Sequence, residues 1–83
     1  MSFSVKWDEN AKDYLNKLPK NIAERIFDKI ESIKDNPFRF LEHHEGDYYK
    51  LRIGDYRSLI DIDFNNKTLT VQVLDKRGRI YKR

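Results

Sequence analysis

Lys50, Arg52 and Arg57 are the side chains best suited to chemistry in this chain, and they stand where a folded domain gains little from them. They lie in the stretch Tyr48-Tyr49-Lys50-Leu51-Arg52-Ile53-Gly54-Asp55-Tyr56-Arg57. Gly54-Asp55 is a dipeptide that closes two-residue hairpins, and it pairs Ile53 with Tyr56 and sets Arg52 opposite Arg57. Side chains alternate along a strand, so Tyr49, Leu51 and Ile53 share one face while Lys50, Arg52 and Arg57 share the other. Like charges directly across a ladder are destabilising. Three converging cations therefore point to a multiply anionic ligand. Arginine stays protonated, so of these strand cations Lys50 alone can give up a proton near neutrality. The plainer alternative is the solvated side of an amphipathic strand, which the placement of Arg57 opposite Arg52 argues against.

The remaining titratable groups offer less. His43 and His44 lie in the polar run Glu42-His43-His44-Glu45 with no cysteine or third ligand nearby, and read as loop residues rather than a metal site. Asp61 and Asp63 fall on the polar face but farther along the sheet, which disfavours a paired-carboxylate hydrolase. The chain has no cysteine, hence neither a disulfide framework nor a thiolate site. No metal and no cofactor are expected. The sequence also shows no membrane-spanning run and no signal-peptide pattern, so a cytoplasmic protein without membrane association is the expectation.

Charge is unevenly distributed. Residues 1–46 hold 8 Lys/Arg against 9 Asp/Glu, whereas residues 47–83 hold 9 against 5, a balance of +4. Lys76-Arg77-Gly78-Arg79-Ile80-Tyr81-Lys82-Arg83 contains five cations and no acid. A basic half beside a neutral half fits a polyanionic partner, nucleic acid first, although a solubilising tail has the same composition. The 83 residues make one domain, spanning 1–83, with 39% hydrophobic and 37% charged residues, so each apolar face must be used.

The elements that must position these cations follow from periodicity. Phe3, Val5 and Trp7 alternate as a short first strand. Asp8 is an N-cap for a helix carrying Ala11, Tyr14, Leu15 and Leu18. Pro19 opens a second helix with Ile22, Ala23, Ile26, Phe27, Ile30 and Ile33 on one stripe, ended by Asn36-Pro37. Residues 38–46 read as a loop with Phe38 and Phe40 tucked inward. Three strands follow at 47–53, 56–64 and 67–75, with a tight turn at Asn65-Asn66. Pairing Phe64 with Lys67 sets Ile62 against Leu69, Ile60 against Val71 and Ser58 against Val73, with Phe64 on the apolar face. That register places Leu74 opposite Arg57 and Lys76 just beyond on the polar face. The predicted fold is α+β, in the order β-α-α-β-β-β, an antiparallel sheet with both N-terminal helices on one side.

This order, with Tyr49-Lys50-Leu51-Arg52-Ile53-Gly54-Asp55-Tyr56-Arg57 in the first hairpin and Lys76-Arg77-Gly78-Arg79-Ile80-Tyr81 at the end, resembles the RelE/ParE superfamily of toxins from type II toxin–antitoxin systems. The resemblance covers nearly the whole chain and is strongest over residues 47–82. RelE-type members are mRNA interferases that cleave message in the ribosomal A site without a metal; ParE-type members share the fold and poison DNA gyrase. Lys50 and Arg52 match the family's cation pair before the turn, Arg57 the arginine after it, Arg77 the arginine after the last strand, and Tyr81 the tyrosine of the tail. Well-known RNA-cleaving members carry lysine where this chain has Arg52, and they continue into a C-terminal helix.

The resemblance implies Lys50 as general base on a 2′-hydroxyl, Arg52, Arg57 and Arg77 as phosphate ligands, and Tyr81 as a base-stacking group. Lys76, Arg79, Lys82 and Arg83 become RNA contacts. The implied products are a 2′,3′-cyclic phosphate and a 5′-hydroxyl. The implied partners are the ribosome, its mRNA and a cognate RelB-like antitoxin, in a hetero-oligomer that binds operator DNA through the antitoxin. The Arg79–Arg83 tail is expected to change when antitoxin binds. A ParE-like toxin acting on a protein target such as gyrase, and a nucleic-acid-binding module without chemistry, are the competing functions.

Overall fold

The computed structural model describes residues 2–46 and 48–76. Strand β1 (Ser4–Trp7) leads into helices α1 (Glu9–Asn16) and α2 (Lys20–Ser32), a 3-10 turn at Pro37–Arg39, and strands β2 (Glu42–Glu45), β3 (Tyr48–Ile53), β4 (Tyr56–Asp63) and β5 (Thr68–Lys76). The sheet runs β1-β5-β4-β3-β2, with β1 parallel to β5 and every other pair antiparallel. The α+β class and the two helices therefore hold, with one strand more than expected.

Local sequence accounts for the helices. The Asp8 carboxylate accepts from the Asn10 N–H at 3.1 Å, satisfying one of the donors that a helix start leaves open. Pro19 sits at the start of α2 with its φ near −53°, and its carbonyl accepts from Ile22 and Ala23. Ala11 and Leu15 of α1, with Ile26 and Ile30 of α2 and Ile33 just beyond it, are buried against Leu51, Ile53, Ile60, Ile62, Leu69, Val71 and Leu74 of the sheet. Phe27 stands at the margin of that stripe, 43% exposed, and stacks on Trp7 with centroids 6.2 Å apart.

The β4–β5 register departs from expectation halfway along. Ile62 meets Leu69 and Ile60 meets Val71 as predicted, but a bulge between Leu59 and Ile60 makes Leu59 pair with Val73, Ser58 with Leu74 and Arg57 with Asp75. Val71, Val73 and Leu74 cannot all face inward at a two-residue period. The extra residue on β5 buries the larger Leu74 (4% exposed) and leaves Val73 part-exposed. It also sets a carboxylate, not Leu74, opposite Arg57. Lys76 consequently pairs with Tyr56 on the helix-bearing face rather than joining the polar one.

Three aromatic placements are corrected too. Phe38, Phe40 and Phe64 are 49%, 43% and 52% exposed. Phe38 and Phe64 stack on each other at 5.6 Å, and Phe38 meets Tyr49 edge-on at 6.0 Å. The core is filled by aliphatic side chains of the helices and the sheet together with Phe3, which leaves these three rings outside it. The β4–β5 connection is likewise longer than a two-residue Asn turn: β4 ends at Asp63, and the positive φ (51°) falls on Lys67. No helix among the described residues is long and apolar enough to cross a membrane.

Candidate functional site: a basic cleft on the open sheet face

Both helices cover one face of the sheet, so the opposite face lies open. The β3–β4 hairpin turns through Gly54, whose φ of +58° is a conformation glycine adopts without the strain a Cβ brings. Ile53 pairs with Tyr56 and Arg52 with Arg57, as the Gly-Asp dipeptide requires. Lys50, Arg52 and Arg57 thereby share the open face and line one cleft of about 310 Å³ together with Phe40 and Glu42.

The three cations are held differently. Arg57 is 6% exposed, at the floor of the cleft, and its guanidinium donates to the Tyr56 carbonyl at 3.4 Å. A buried guanidinium keeps its orientation, and its planar fork matches paired oxygens. Arg52 stands exposed at the rim. Lys50 is half-covered, with Nζ 3.7 Å from the Glu42 carboxylate, whose side chain is 76% exposed. An ion pair at that exposure is weak, on the order of 0–1 kcal/mol.

Glu42 and Phe40 belong to the cleft although the sequence reading placed them in a loop. Glu42 is placed by β2, which pairs it with Lys50 and His43 with Tyr49, and Phe40 by the 3-10 turn that precedes that strand. A signal was present: Gly46-Asp47 repeats the Gly-Asp dipeptide that closes the next hairpin, and Gly46 has φ +56°. His43 is structural. Its Nε2 donates to the Gly46 carbonyl at 2.8 Å, and its ring meets Tyr49 edge-on at 5.3 Å.

Asp61 and Asp63 lie at the far end of the polar face, as the spacing indicated. Asp63 is committed to its turn: its carboxylate accepts from the Asn65 N–H, the Asn66 N–H and Asn66 Nδ2 at 2.8–3.1 Å. The Asn66 side-chain hydrogen bond, followed by those from the backbone N–H groups of Asn66 and Asn65, holds the Asp63 carboxyl below its ordinary value. Lys76, on the helix side, lines a separate cavity of about 570 Å³ with Arg25, Asp55 and Tyr56. That cavity is larger than the basic cleft but holds none of the three strand cations. Arg77, Arg79, Tyr81, Lys82 and Arg83, and the expected response of the tail to antitoxin, lie outside the described residues.

The chain is similar to several solved toxins. It is 23% identical to a chain of the toxin–antitoxin complex RelBE2 from Mycobacterium tuberculosis, covering 93% of this chain and 100% of that one at a TM-score of 0.83. It is 26% identical to a chain of the archaeal RelE–RelB complex from Pyrococcus horikoshii, with 95% and 99% coverage and a TM-score of 0.78. Against a chain of the intact E. coli RelBE toxin–antitoxin complex the figures are 20%, 94%, 100% and 0.78. No curated protein sequence matches. The sequence profile of the family described as the ParE toxin of the type II toxin–antitoxin system parDE matches residues 5–81, nearly the whole chain. This chain accordingly belongs to the ParE toxin family of type II toxin–antitoxin systems, within the RelE/ParE superfamily.

Proposed function

We propose that this toxin is a metal-independent, ribosome-dependent mRNA endoribonuclease, an mRNA interferase that stops translation. The observation that carries the reading is the joining of Lys50, Arg52 and Arg57 in one cleft on the open sheet face. In this reading the Lys50 amine takes the proton of a 2′-hydroxyl, and the 2′-oxygen attacks the adjacent phosphorus. The bond from phosphorus to the 5′-oxygen breaks, and that oxygen leaves with a proton. Arg52 and the fixed guanidinium of Arg57 receive the non-bridging oxygens as charge builds on them. The chain then carries a 2′,3′-cyclic phosphate on one fragment and a 5′-hydroxyl on the other. Arg77 and Tyr81 complete the set as leaving-group and base-stacking partners, and Lys76, Arg79, Lys82 and Arg83 add backbone contacts. Lys76 does so from the helix-bearing side of the strand.

Its partner in this reading is a cognate RelB-like antitoxin, a flexible and largely helical chain that folds on binding, neutralises the toxin in the cytoplasm and tethers the pair to operator DNA. The RelE–RelB complexes among the similar structures support that assignment. The second reading, a ParE-like toxin that acts on gyrase, is favoured by the name of the matching family. Sequencing RNA ends from arrested cells separates them. Fragments with 2′,3′-cyclic phosphate ends clustered at ribosomal A-site codons are expected; intact message with gyrase-dependent DNA breaks would replace the nuclease reading by the second.

A further inference from the structure

We infer that Phe40 is a base-stacking residue of the cleft, holding the nucleobase beside the phosphate that Arg52 and Arg57 receive. The inference rests on the nuclease reading and adds a residue to it. Phe40 is 43% exposed, yet it is not a loosely hung side chain. It caps the 3-10 turn that begins at buried Pro37, with its N–H donating to the Pro37 carbonyl at 3.1 Å and that of Leu41 donating to the same oxygen at 2.9 Å. Its ring is decorated with cations: Lys29 Nζ lies 4.7 Å from the centroid and Arg39 Cζ 5.9 Å.

The other exposed phenylalanines have aromatic partners. Phe38 and Phe64 cover each other, and Phe27 covers Trp7. Among the described residues Phe40 meets no second ring, and it alone of the four lines the cleft that holds Lys50, Arg52 and Arg57. Single-stranded nucleic acid is held by this combination, with aromatic faces for the bases and a cationic groove for the backbone. Lys29 and Arg39 extend the positive surface past the ring, giving a neighbouring phosphate somewhere to go. An acidic protein segment would use the cations but has no need of a part-exposed flat ring beside them. Stacking tolerates every base and favours the wider overlap of purines, so the cleft should prefer a purine at the stacked position without reading its edge.

The test uses the full toxin on ribosomes programmed with a message carrying 2-aminopurine at each A-site codon position in turn. The parent should quench the probe at one position and cleave beside it. Phe40→Leu should lose that quenching, cleave about tenfold more slowly and lose the purine preference, while Phe40→Trp restores all three. A folded Phe40→Leu toxin with the parent's rate and base profile overturns this inference and leaves the nuclease reading standing. So does a Phe40→Leu toxin that cleaves normally but no longer binds its antitoxin, which would make the ring a protein contact. A parent that neither quenches nor cleaves overturns both.

Discussion

The two ends of the β4 strand treat charge in opposite ways. At its C-terminal end, the connection to β5 spends every acceptor of Asp63 on its own turn, on two backbone N–H groups and the Asn66 amide. At its N-terminal end, the connection to β3 sets Arg52 across from Arg57, with Lys50 on the same face and its Nζ 3.7 Å from the exposed Glu42 carboxylate. Both ends are exposed turns between the same kinds of strand, so turn chemistry does not explain the difference. Local satisfaction makes the Asp63 end a structural device. The basic end gathers three cations against two carboxylates in neighbouring register, Glu42 and Asp75, an excess of positive charge that suits an outside anion. Sites that keep side chains in locally unfavourable company are where function is best sought.

Breaking the basic end at its most buried point should have the largest effect. Arg57→Ala removes a preorganised donor, a change typically worth about 3–4 kcal/mol of transition-state stabilisation, so cleavage should fall by roughly 10²–10³-fold and growth arrest should vanish. Because Arg57 is 6% exposed, circular dichroism and a melting curve must accompany the activity measurement. Full toxicity in a folded Arg57→Ala protein would sink the catalytic reading of this face.

Lys50→Arg comes next and sharpens the comparison by keeping charge while removing the acid–base function. Binding to programmed ribosomes should survive and cleavage should collapse. If the variant cleaves message at the parent's rate, Lys50 acts through charge alone and the base lies elsewhere.

Most of this arrangement was legible in the sequence because it depends on short-range rules. Gly54-Asp55 fixed which residues faced each other, and alternation then assigned Lys50, Arg52 and Arg57 to one face. Three features escaped. The edge strand β2 reads Glu-His-His-Glu, with no apolar alternation, because an edge strand at the margin of a covered face is held by its backbone ladder and by cross-strand pairs rather than by burial. The bulge in β5 arises from competition among Val71, Val73 and Leu74 for the core, a tertiary decision that no local pattern records. Phe38 and Phe40 read inward as apolar loop residues and Phe64 by alternation with Ile60 and Ile62, but apolar residues on a surface are ordinary, and the helices cover only part of the sheet. The first and third misses hid Glu42 and Phe40, two of the five residues that line the cleft.

Glu42→Gln tests how much the carboxylate restrains the basic end. At close to 4 Å in a solvated setting a charge pair is worth about 1 kcal/mol, so removing one charge should tighten ribosome-bound RNA association by roughly fivefold at low salt. The melting temperature should barely move, since an exposed pair contributes little to folding. Weaker association would instead mean that Glu42 orients Lys50 for its ligand.

The smallest effect belongs to the opposite end, where Asp63→Asn should alter stability and leave toxicity untouched. In the folded protein the Asp63 carboxyl titrates below its ordinary value, chiefly because the ionised form accepts from the Asn66 side chain. A group lowered on folding stabilises the native state above its unfolded value, and the benefit is lost as pH falls through the lowered folded one. The parent should therefore exceed Asp63→Asn in urea midpoint at pH 7, with the gap closing on acidification below the usual carboxylate range. Midpoints measured at several pH values between 7 and 2 decide it. A gap that persists undiminished in acid would show that the turn depends on the shape of the side chain and not on its charge. Loss of toxicity in the folded variant would show that the two ends of β4 are coupled after all.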